Sequence, residues 1–283
     1  MSAAYGLFGY PVQHSWSPFI HGMFAKQTGQ EMTYRLFESP PERFRSEILG
    51  FLGTGGGSGV NVTLPHKQAA TELVNELTAR AQMADAINTI VRTESGLLGD
   101  NTDGAGLLTD LTRNLGLSWS APRILVLGAG GAARGAIGPL LSLKPRMLVI
   151  ANRTAARAEQ LAWEFRDYGA VRGCEYSRLE NQRFDLILNA TSASLRGEVP
   201  LIPIGVVDSM TTCYDMAYGV GDTAFVAWAK RIGAGRAEQG WGMLVEQAAE
   251  AFELWRGVRP DTAPVLQALH TRAATSARSL SSG

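Results

Sequence analysis

Apolar residues run without interruption from Ile124 to Leu127, and this run leads directly into a cluster of glycines. A stretch without polar alternation is typical of a central parallel strand that is covered on both faces. A helical pattern follows from Ala132 to about Leu143. The order of strand, glycine turn and helix therefore predicts the first βα unit of a nucleotide-binding parallel sheet.

The same reasoning divides the rest of the chain into alternating strands and helices. Strands are predicted where apolar residues run or alternate, and helices where a capping residue precedes an apolar stripe. The predicted strands are 5–10, 32–38, 60–63, 86–91, 97–102, 124–127, 147–151, 184–189 and 213–218. The predicted helices are 18–28, 42–52, 66–77, 105–115, 132–143, one that follows residue 154, 223–232 and 244–255. The chain is thus predicted to be α/β.

Composition narrows the class of protein. A chain of 283 residues suggests two domains, and its 26 basic and 26 acidic residues give zero formal net charge, without basic runs. We therefore expect no nucleic-acid partner and no anionic membrane partner. The start lacks a basic segment followed by an apolar core, and no apolar run approaches the roughly 20 residues that span a bilayer, so we expect a cytoplasmic protein.

Two cysteines, Cys174 and Cys213, are too few for a disulfide framework and lack metal-binding spacing. Each is predicted to be a small core residue. The segment from Ala273 onwards is rich in serine and small residues, which indicates a frayed or disordered end.

The glycine turn carries the first candidate chemistry. Gly128 and Gly130 permit a tight turn and a close approach of a ligand to the backbone, and Ala133 fills the third small position of the dinucleotide fingerprint. The helix that begins near Gly131 would direct free N–H groups and the positive end of its dipole at a pyrophosphate. The alternative is a turn whose glycines serve only steric needs.

The end of the next strand indicates which dinucleotide binds. An acidic residue at this place bonds the ribose 2'-hydroxyl in NAD-binding proteins, but here the strand ends in Asn152, Arg153 and Thr154, and Arg157 follows on a helix. Guanidinium groups suit a 2'-phosphate, so the sequence favours NADP. Arginines that serve only solubility are the alternative.

In the first half of the chain, Ser15 and Ser17 precede a helix whose first position is Pro18. Ser17 has the plain interpretation of an N-cap and Ser15 that of a loop residue. The functional interpretation is that both hydroxyls, beside free N–H groups, bind a carboxylate without any basic residue.

Three further polar residues allow two interpretations each. Lys67 is placed in the first turn of a predicted helix, where a cation opposes the helix dipole, and it is either a solvated residue or a functional one. Asp103 is either the N-cap of the next helix or an active-site acid. Gln247 borders an apolar helix stripe and is either half-exposed or directed into a binding site.

Nine short motifs in this order resemble those of the NADP-dependent shikimate dehydrogenase family, from Phe8 to about Pro264. They are Ser15-x-Ser17-Pro18, Asn61-Val-Thr-Leu-Pro-His-Lys67, Ile87-Asn88-Thr89, Gly99-Asp-Asn-Thr-Asp103, Gly128-Ala-Gly-Gly-Ala132, Asn152-Arg-Thr154, Asn189-Ala-Thr-Ser192, Tyr214-Asp-Met216 and Met243-Leu-x-x-Gln247. Each motif alone is weak evidence for the family, but all nine in this order are specific to it. The resemblance therefore favours the functional interpretation of Ser15, Lys67, Asp103 and Gln247 over the plain one.

The resemblance implies a two-domain α/β fold with the active site in the cleft between the domains. A substrate-binding domain with a mixed sheet is expected over residues 1–104, and a Rossmann-type NADP-binding domain with a parallel sheet over 105–238. The C-terminal helices, 239–283, are expected to return to the substrate domain.

The resemblance also implies the reaction and its residues. The family reversibly reduces 3-dehydroshikimate to shikimate with NADPH in aromatic amino acid and chorismate biosynthesis, and its members are monomers or homodimers that need no metal. Lys67 and Asp103 are the implied catalytic pair. The implied substrate-binding residues are Ser15, Ser17, Thr63, Asn88, Tyr218 and Gln247. The implied cofactor-binding residues are Gly128, Ala129, Gly130, Gly131, Ala132, Asn152, Arg153, Thr154, Arg157, Thr191, Met216 and Gly240.

Three positions depart from the family pattern. Ser194 stands where glycine is frequent, Gln239 where aspartate usually precedes Gly240, and Ala224 where proline is common.

Two alternative functions also stay open. One is a quinate/shikimate dehydrogenase with relaxed substrate choice and NAD use, and the other is a catalytically silent sensor that binds shikimate-like acids.

Overall fold

The computed structural model describes residues 3–281, which form two compact units. The first unit extends to Gly106 and continues from Leu244 to Leu269. The second unit extends from Leu107 to Met243 and continues from His270. Each unit contains one six-stranded sheet, mixed in the first and parallel in the second. The predicted α/β fold with these two kinds of sheet is confirmed.

The mixed sheet brings several loop residues to one edge. Its strands are β1 (Ala3–Gly9), β2 (Met32–Glu38), β3 (Gly57–Val62), β4 (Glu76–Leu77), β5 (Thr89–Thr93) and β6 (Gly96–Asp100). They lie in the order β2-β1-β3-β5-β6-β4, and β5 is antiparallel to β3 and β6. Since Thr89 pairs with both Asn61 and Asp100, the end of β3, the start of β5 and the end of β6 meet at the same edge.

The parallel sheet has the doubly wound order of a dinucleotide-binding domain. Its strands are β7 (Arg123–Leu127), β8 (Met147–Ala151), β9 (Val171–Cys174), β10 (Leu186–Asn189), β11 (Thr212–Asp215) and β12 (Arg236–Gln239). They lie in the order β12-β11-β10-β7-β8-β9. The direction of winding reverses between β7 and β10, and ligands of such sheets bind at the carboxyl ends of the strands there.

Helices connect the strands of both sheets. They are α1 (Ser17–Thr28), α2 (Pro41–Leu52), α3 (Ala79–Ala84), α4 (Asp103–Thr109), α5 (Gly131–Ser142), α6 (Ala155–Glu164), α7 (Ala224–Arg231), α8 (Trp241–Arg256) and α9 (Ala263–Ser281). Within residues 3–281, none of the helices has both the length and the apolar character that crossing a membrane requires. Helix α9 covers most of the segment predicted to be frayed, and residues 282–283 lie outside the described residues.

Each sheet has its own apolar core. In the first unit, Phe8, Val60 and Ile90 from the strands pack with Phe44 and Ile48 from α2. The core of the second unit includes both cysteines, as predicted. Burial raises the pKa of the Cys213 thiol to about 12, which keeps it neutral.

The helix predicted over residues 66–77 is wrong. The chain forms only a short 3-10 helix, Ala69–Leu73, before strand β4. Asn75 exchanges two hydrogen bonds of 2.8 Å with the backbone of Leu97, which draws this segment alongside β6. Pairing with the sheet thus overrides the helical pattern. Lys67 consequently lies in a turn, so its predicted opposition to a helix dipole does not apply.

One buried histidine makes the first unit sensitive to acid. His21 is fully buried, and its ring stacks on the Tyr34 ring with centroids 4.3 Å apart. The centroid of the Trp255 ring lies 5.3 Å from that of the His21 ring. Neither ring nitrogen has a hydrogen-bond partner among the described residues. Burial lowers the pKa of His21 from 6.5 to about 3, although the neighbouring Asn61 side chain opposes part of the shift. The ring is therefore neutral at physiological pH.

We predict that His21→Phe reduces the loss of stability in mild acid. The unfolded chain takes up a proton at His21 below pH 6.5, whereas the folded chain does so only near pH 3. Between pH 7.5 and pH 5 this difference removes about 2 kcal/mol from the free energy of unfolding, and phenylalanine abolishes it. Urea unfolding at both pH values measures the effect. The exposed His270→Gln serves as the control, and an unchanged pH dependence in His21→Phe would contradict the expectation.

Candidate active site

Lys67 and Asp103 form an ion pair at the polar edge of the mixed sheet. Lys67 Nζ lies 2.5 Å from Asp103 Oδ2, and the two side chains are 27% and 20% exposed. The backbone oxygen of Lys67 accepts a 2.8 Å hydrogen bond from Ile87 N, which fixes the turn. Asp103 is the first residue of α4, three residues beyond the end of β6. Partial burial leaves their attraction less screened than that of a surface pair.

Asn88 holds the second carboxylate oxygen of Asp103. Asn88 Nδ2 lies 2.8 Å from Asp103 Oδ1, 2.8 Å from Thr102 Oγ1 and 3.3 Å from Gln247 Oε1. Asn88 Oδ1 accepts hydrogen bonds from Thr102 N at 2.8 Å and Thr89 Oγ1 at 2.9 Å. The backbone donor fixes the orientation of the amide, since only an oxygen can face it. Asp103 is thereby bonded to Lys67 and Asn88 instead of capping its own helix.

Gln247 reaches this site from α8. Its Nε2 donates a 2.8 Å hydrogen bond to Leu244 O, which leaves Oε1 facing Asn88. Helix α8 approaches closely because Gly106 on α4 has no side chain. A Cβ atom at Gly106 would lie 2.6 Å from Gln247 N. Gln247 thus lies beside Asn88, and its role in binding a substrate stays a prediction.

Ser15 and Ser17 contact one another before α1. Ser15 Oγ donates to Ser17 Oγ at 3.1 Å and accepts from Ser17 N at 3.2 Å. Helix α1 begins at Ser17, its N-cap residue is Trp16, and no side chain caps its amides. The predicted N-cap role of Ser17 is therefore wrong, and Ser15 bonds the first amide. The two hydroxyls and the start of the helix remain grouped as a carboxylate site needs.

A chain of side chains connects this group with Asn88. Tyr34 Oη donates to Asn61 Oδ1 at 2.8 Å, and Asn61 Nδ2 donates to Thr89 Oγ1 at 3.1 Å. The Tyr34 hydroxyl also interacts with Ser17, which lowers the pKa of a phenol that burial raises. Thr63 follows β3, and its hydroxyl bonds no other described residue. The five predicted residues Ser15, Ser17, Thr63, Asn88 and Gln247 thus belong to the first unit, as do Lys67 and Asp103.

The glycine turn after β7 leaves room for a ligand. Gly128 has φ +105°, and a Cβ atom there would lie 3.1 Å from both Ala190 O and the Thr191 side chain. By contrast, apart from the adjoining backbone, no described atom lies within 4 Å of a Cβ built on Gly130 or Gly131. Ala129 and Ala132 complete the turn and the first residues of α5. No side chain caps α5 among the described residues, so its amides are directed at open space.

Exposed cationic residues follow β8. Asn152 Nδ2 donates to Thr154 O at 3.0 Å, which shapes the turn into α6, and Thr154 O accepts from Arg157 N at 3.1 Å. Arg153, Thr154 and Arg157 are exposed. Among the described residues, no carboxylate lies within 4.0 Å of either guanidinium. Gly173 lets α6 pack tightly, because a Cβ there would collide with the backbone of Ala158.

The loops after β10, β11 and β12 pack together at the carboxyl edge of the parallel sheet. Thr191 Oγ1 donates to Asn189 Oδ1 at 2.7 Å, and Met216 N donates to Asn189 O at 3.0 Å. A Cβ atom at Gly240 would lie 2.5 Å from Met216 O, so only glycine fits. Tyr218 belongs to the second unit and packs on Trp241 with ring centroids 4.6 Å apart. Burial raises the pKa of the Tyr218 phenol, which therefore stays protonated.

Two of the three departures from the family pattern have a structural explanation here. Ser194 Oγ donates to Asp215 Oδ2 at 2.5 Å and accepts from Asn189 Nδ2 at 3.1 Å. Burial raises the pKa of Asp215, and Ser194 and Thr223 oppose this rise with hydrogen bonds. Ala224 is the first residue of α7, behind the capping Thr223, where alanine fits a helix as well as proline does.

Sequence reasoning missed some residues of these networks. Asn61 and Asp215 lie inside quoted motifs, so their position in the order of motifs was the available signal. The role of Gly106 could not be predicted from the sequence. The sequence does not distinguish a glycine that allows close packing of a helix distant in the chain from any other glycine. Within residues 3–281, no three His, Cys, Asp or Glu side chains are grouped as metal ligands.

Most of the chain matches models of known protein families. Residues 7–90 match the shikimate dehydrogenase substrate binding domain, and residues 110–197 match shikimate / quinate 5-dehydrogenase. Residues 240–270 match the shikimate 5'-dehydrogenase C-terminal domain.

Individual relatives agree over nearly their full lengths. The NADP(+) shikimate dehydrogenase of Aeromonas hydrophila is 56% identical, over 94% of this chain and 96% of its own. That of Methylococcus capsulatus is 50% identical, over 96% and 97%.

Solved structures show the same fold. The Ael1 enzyme from Pseudomonas putida superposes with a TM-score of 0.90 at 44% identity, over 95% of this chain and 98% of its own. Shikimate 5-dehydrogenase from Thermus thermophilus, in complex with NADP(H) and shikimate, gives 0.83 at 31% identity, over 96% and 99%. With matched domains, matched length and this level of identity, the chain belongs to the shikimate dehydrogenase family.

Proposed function

We propose that this protein catalyses the reversible NADPH-dependent reduction of 3-dehydroshikimate to shikimate, a step of chorismate and aromatic amino acid biosynthesis. Its NADP(+) shikimate dehydrogenase relatives, at about half identity over almost the whole chain, support this activity. The observation that carries it is the Lys67–Asp103 ion pair with Asn88 on the same carboxylate. Binding alone does not need a charged pair beside a hydroxyl, whereas carbonyl reduction does.

The second unit fits NADP. The positive φ of Gly128, the open space at Gly130 and Gly131 and the amides at the start of α5 suit a pyrophosphate. Arg153 and Arg157 suit the 2'-phosphate, because planar guanidinium groups bond phosphate oxygens in pairs. The remaining proposed cofactor-binding residues are Ala129, Ala132, Asn152, Thr154, Thr191, Met216 and Gly240. NADPH bound to these residues supplies the hydride for the reduction.

The first unit fits a polyhydroxylated carboxylic acid. Ser15 and Ser17 bind the carboxylate through hydroxyls at the start of α1. The ring hydroxyls are bonded by Thr63, Asn88 and Gln247, and Tyr218 is the further proposed substrate-binding residue. The Asn88 oxygen already accepts hydrogen bonds from Thr102 and Thr89, so Asn88 bonds a substrate oxygen as a donor, with an N–H that exchanges its 3.3 Å contact with Gln247 Oε1.

Lys67 and Asp103 perform the proton chemistry. Negative charge develops on the carbonyl oxygen during reduction, and an ammonium group both stabilises that charge and supplies the proton of the new hydroxyl. Asp103 orients the ammonium group through the 2.5 Å contact and balances its charge. Asn88 holds the other oxygen of the carboxylate, so the Asp103 side chain cannot rotate freely. In the reverse reaction the same pair accepts the hydroxyl proton.

The proposed domain assignment is substrate binding by residues 1–104, NADP binding by 105–238 and return of 239–283 to the substrate domain, although of this last part only Leu244–Leu269 belongs to the first compact unit. The match of residues 7–90 to the substrate binding domain model supports the first part. A cytoplasmic location and a monomeric or homodimeric state stay predictions.

We predict that Lys67→Ala lowers kcat about 100-fold or more and changes KM for shikimate little. The reason is that the ammonium group acts mainly on charge that exists in the transition state. Initial rates of shikimate oxidation with NADP measure both constants. The exposed Lys26→Ala, in the same unit, is the control. A Lys67→Ala enzyme that keeps its kcat and loses only affinity would refute the catalytic role.

We predict that Arg153→Ala lowers kcat/KM for NADP about 10- to 100-fold, as expected for a lost charge-assisted hydrogen bond. The value for NAD should change by less than about threefold, since NAD lacks the phosphate that the guanidinium bonds. Steady-state kinetics with each cofactor at saturating shikimate test this. The exposed Arg231→Ala, also in the second unit, is the control. Equal losses with NADP and NAD would show that Arg153 does not read the 2'-phosphate.

A further inference from the structure

The loop between β11 and α7 carries Tyr218 and is held by its backbone before that residue. Ala217 N donates to Asp215 Oδ1 at 3.1 Å, and Ala217 O accepts from Gly240 N at 3.0 Å. Asp215 is buried and accepts further hydrogen bonds from Ser194, Asn189 and Thr223. The residue that precedes Tyr218 is therefore bonded through both its N–H and its carbonyl group.

Gln239 holds the same loop after Tyr218. It is the last residue of β12, and its side chain spans two peptide groups of the loop. Gln239 Oε1 accepts from Gly219 N at 3.0 Å, and Gln239 Nε2 donates to Gly221 O at 3.0 Å. Gly221 has φ +81°, which turns its carbonyl within reach of the amide. Tyr218 thus lies between two anchored residues.

The bonding pattern requires a carboxamide at this position. One end of the side chain must accept from an N–H group and the other must donate to a carbonyl, and among side chains of the shape of glutamine, glutamate and aspartate only the carboxamide does both. A glutamate would place a second acceptor against Gly221 O. An asparagine carries the same amide but is one methylene shorter, so its amide would fall short of Gly219 N and Gly221 O. Gln239 therefore forms a pair of hydrogen bonds with the loop backbone that the aspartate usual in the family, which is shorter and lacks a donor, cannot form.

The anchored loop limits the orientation of the Tyr218 ring. The ring packs on Trp241, with centroids 4.6 Å apart and planes inclined by 40°. Trp241 follows Gly240 directly, and Gly240 cannot carry a side chain because of its contact with Met216 O. Tyr218 is thus held through the bond of its loop to the end of β12, and Trp241 is held by the turn that follows β12.

We propose that Gln239 is a positioning residue that fixes the Tyr218 loop and thereby strengthens binding of the hydroxylated ring acid. The inference rests on the proposed function, in which Tyr218 contacts shikimate. Gln239 acts through the loop backbone and does not touch the substrate. Its effect is expected on KM for shikimate, with kcat little changed, because Lys67 and Asp103 are left intact.

Gln239→Glu tests the inference with the smallest change of shape. Loss of the hydrogen bond to Gly221 O, and repulsion between that carbonyl and the new carboxylate, should raise KM for shikimate about tenfold. KM for NADP and kcat should stay within about threefold of the wild type. Gln182→Glu is the control in the same unit, because the Gln182 amide likewise accepts one hydrogen bond, from the Arg172 side chain, and donates one to a backbone carbonyl, that of Arg178.

Hydrogen exchange gives a readout that is independent of activity. The Gly219 amide donates to Gln239, so its exchange in the peptide 216–223 should accelerate about tenfold in Gln239→Ala and not in Gln182→Ala. Tyr218→Phe completes a double-mutant cycle with Gln239→Glu. If Gln239 acts through the Tyr218 hydroxyl, its effect on KM should fall below about twofold in the Tyr218→Phe background.

The outcomes separate the inference from the function on which it rests. Faster exchange together with a raised KM and coupling to Tyr218 supports the inference. Unchanged exchange, or an unchanged KM for shikimate while Tyr218→Phe raises it, overturns the positioning role. If Tyr218→Phe itself leaves KM at the wild-type value, the proposed substrate contact of Tyr218 is wrong, and the inference falls with it.

Discussion

The 2.5 Å contact between Lys67 and Asp103 joins two segments that are 36 residues apart in the chain. A partly buried ion pair stabilises a fold only if the second oxygen of its carboxylate also has a hydrogen-bond donor. Asn88 supplies that bond, and Thr102 and Thr89 fix its amide in turn. The order of β3, β5 and β6 in the mixed sheet brings these residues to one edge. Sheet topology is therefore what makes the pair possible.

The second unit obeys a comparable constraint at the edge of its parallel sheet. Glycine is needed at Gly240 because a Cβ atom there would lie 2.5 Å from Met216 O, and at Gly128 because its φ is +105°. Asp215 is a buried acid that forms no ion pair within residues 3–281, and hydrogen bonds from Asn189 and Ser194 stabilise it. These fixed loops leave the start of α5 open. A rigid edge beside open helix amides is what binding of an anionic dinucleotide requires.

The fold was largely predictable, since β2 and β8 have the predicted bounds and the glycine turn connects the predicted strand and helix. The 66–77 helix failed because Asn75 pairs with β6, a contact between distant segments that no local pattern reveals. The role of Ser17 as a cap failed because Ser15 bonds its amide. The bond of Gln239 to its loop was hidden for the same reason, since loop conformation decides which peptide groups a side chain reaches.

Initial rates of nicotinamide reduction with shikimate and with quinate, each paired with NADP and with NAD, test the proposed activity most directly. The result expected from the Lys67–Asp103 pair and from Arg153 is turnover dominated by shikimate with NADP. Comparable turnover of quinate or with NAD would contradict this specificity and indicate a broader quinate/shikimate dehydrogenase. Shikimate binding without any turnover would contradict the catalytic assignment and indicate a sensor.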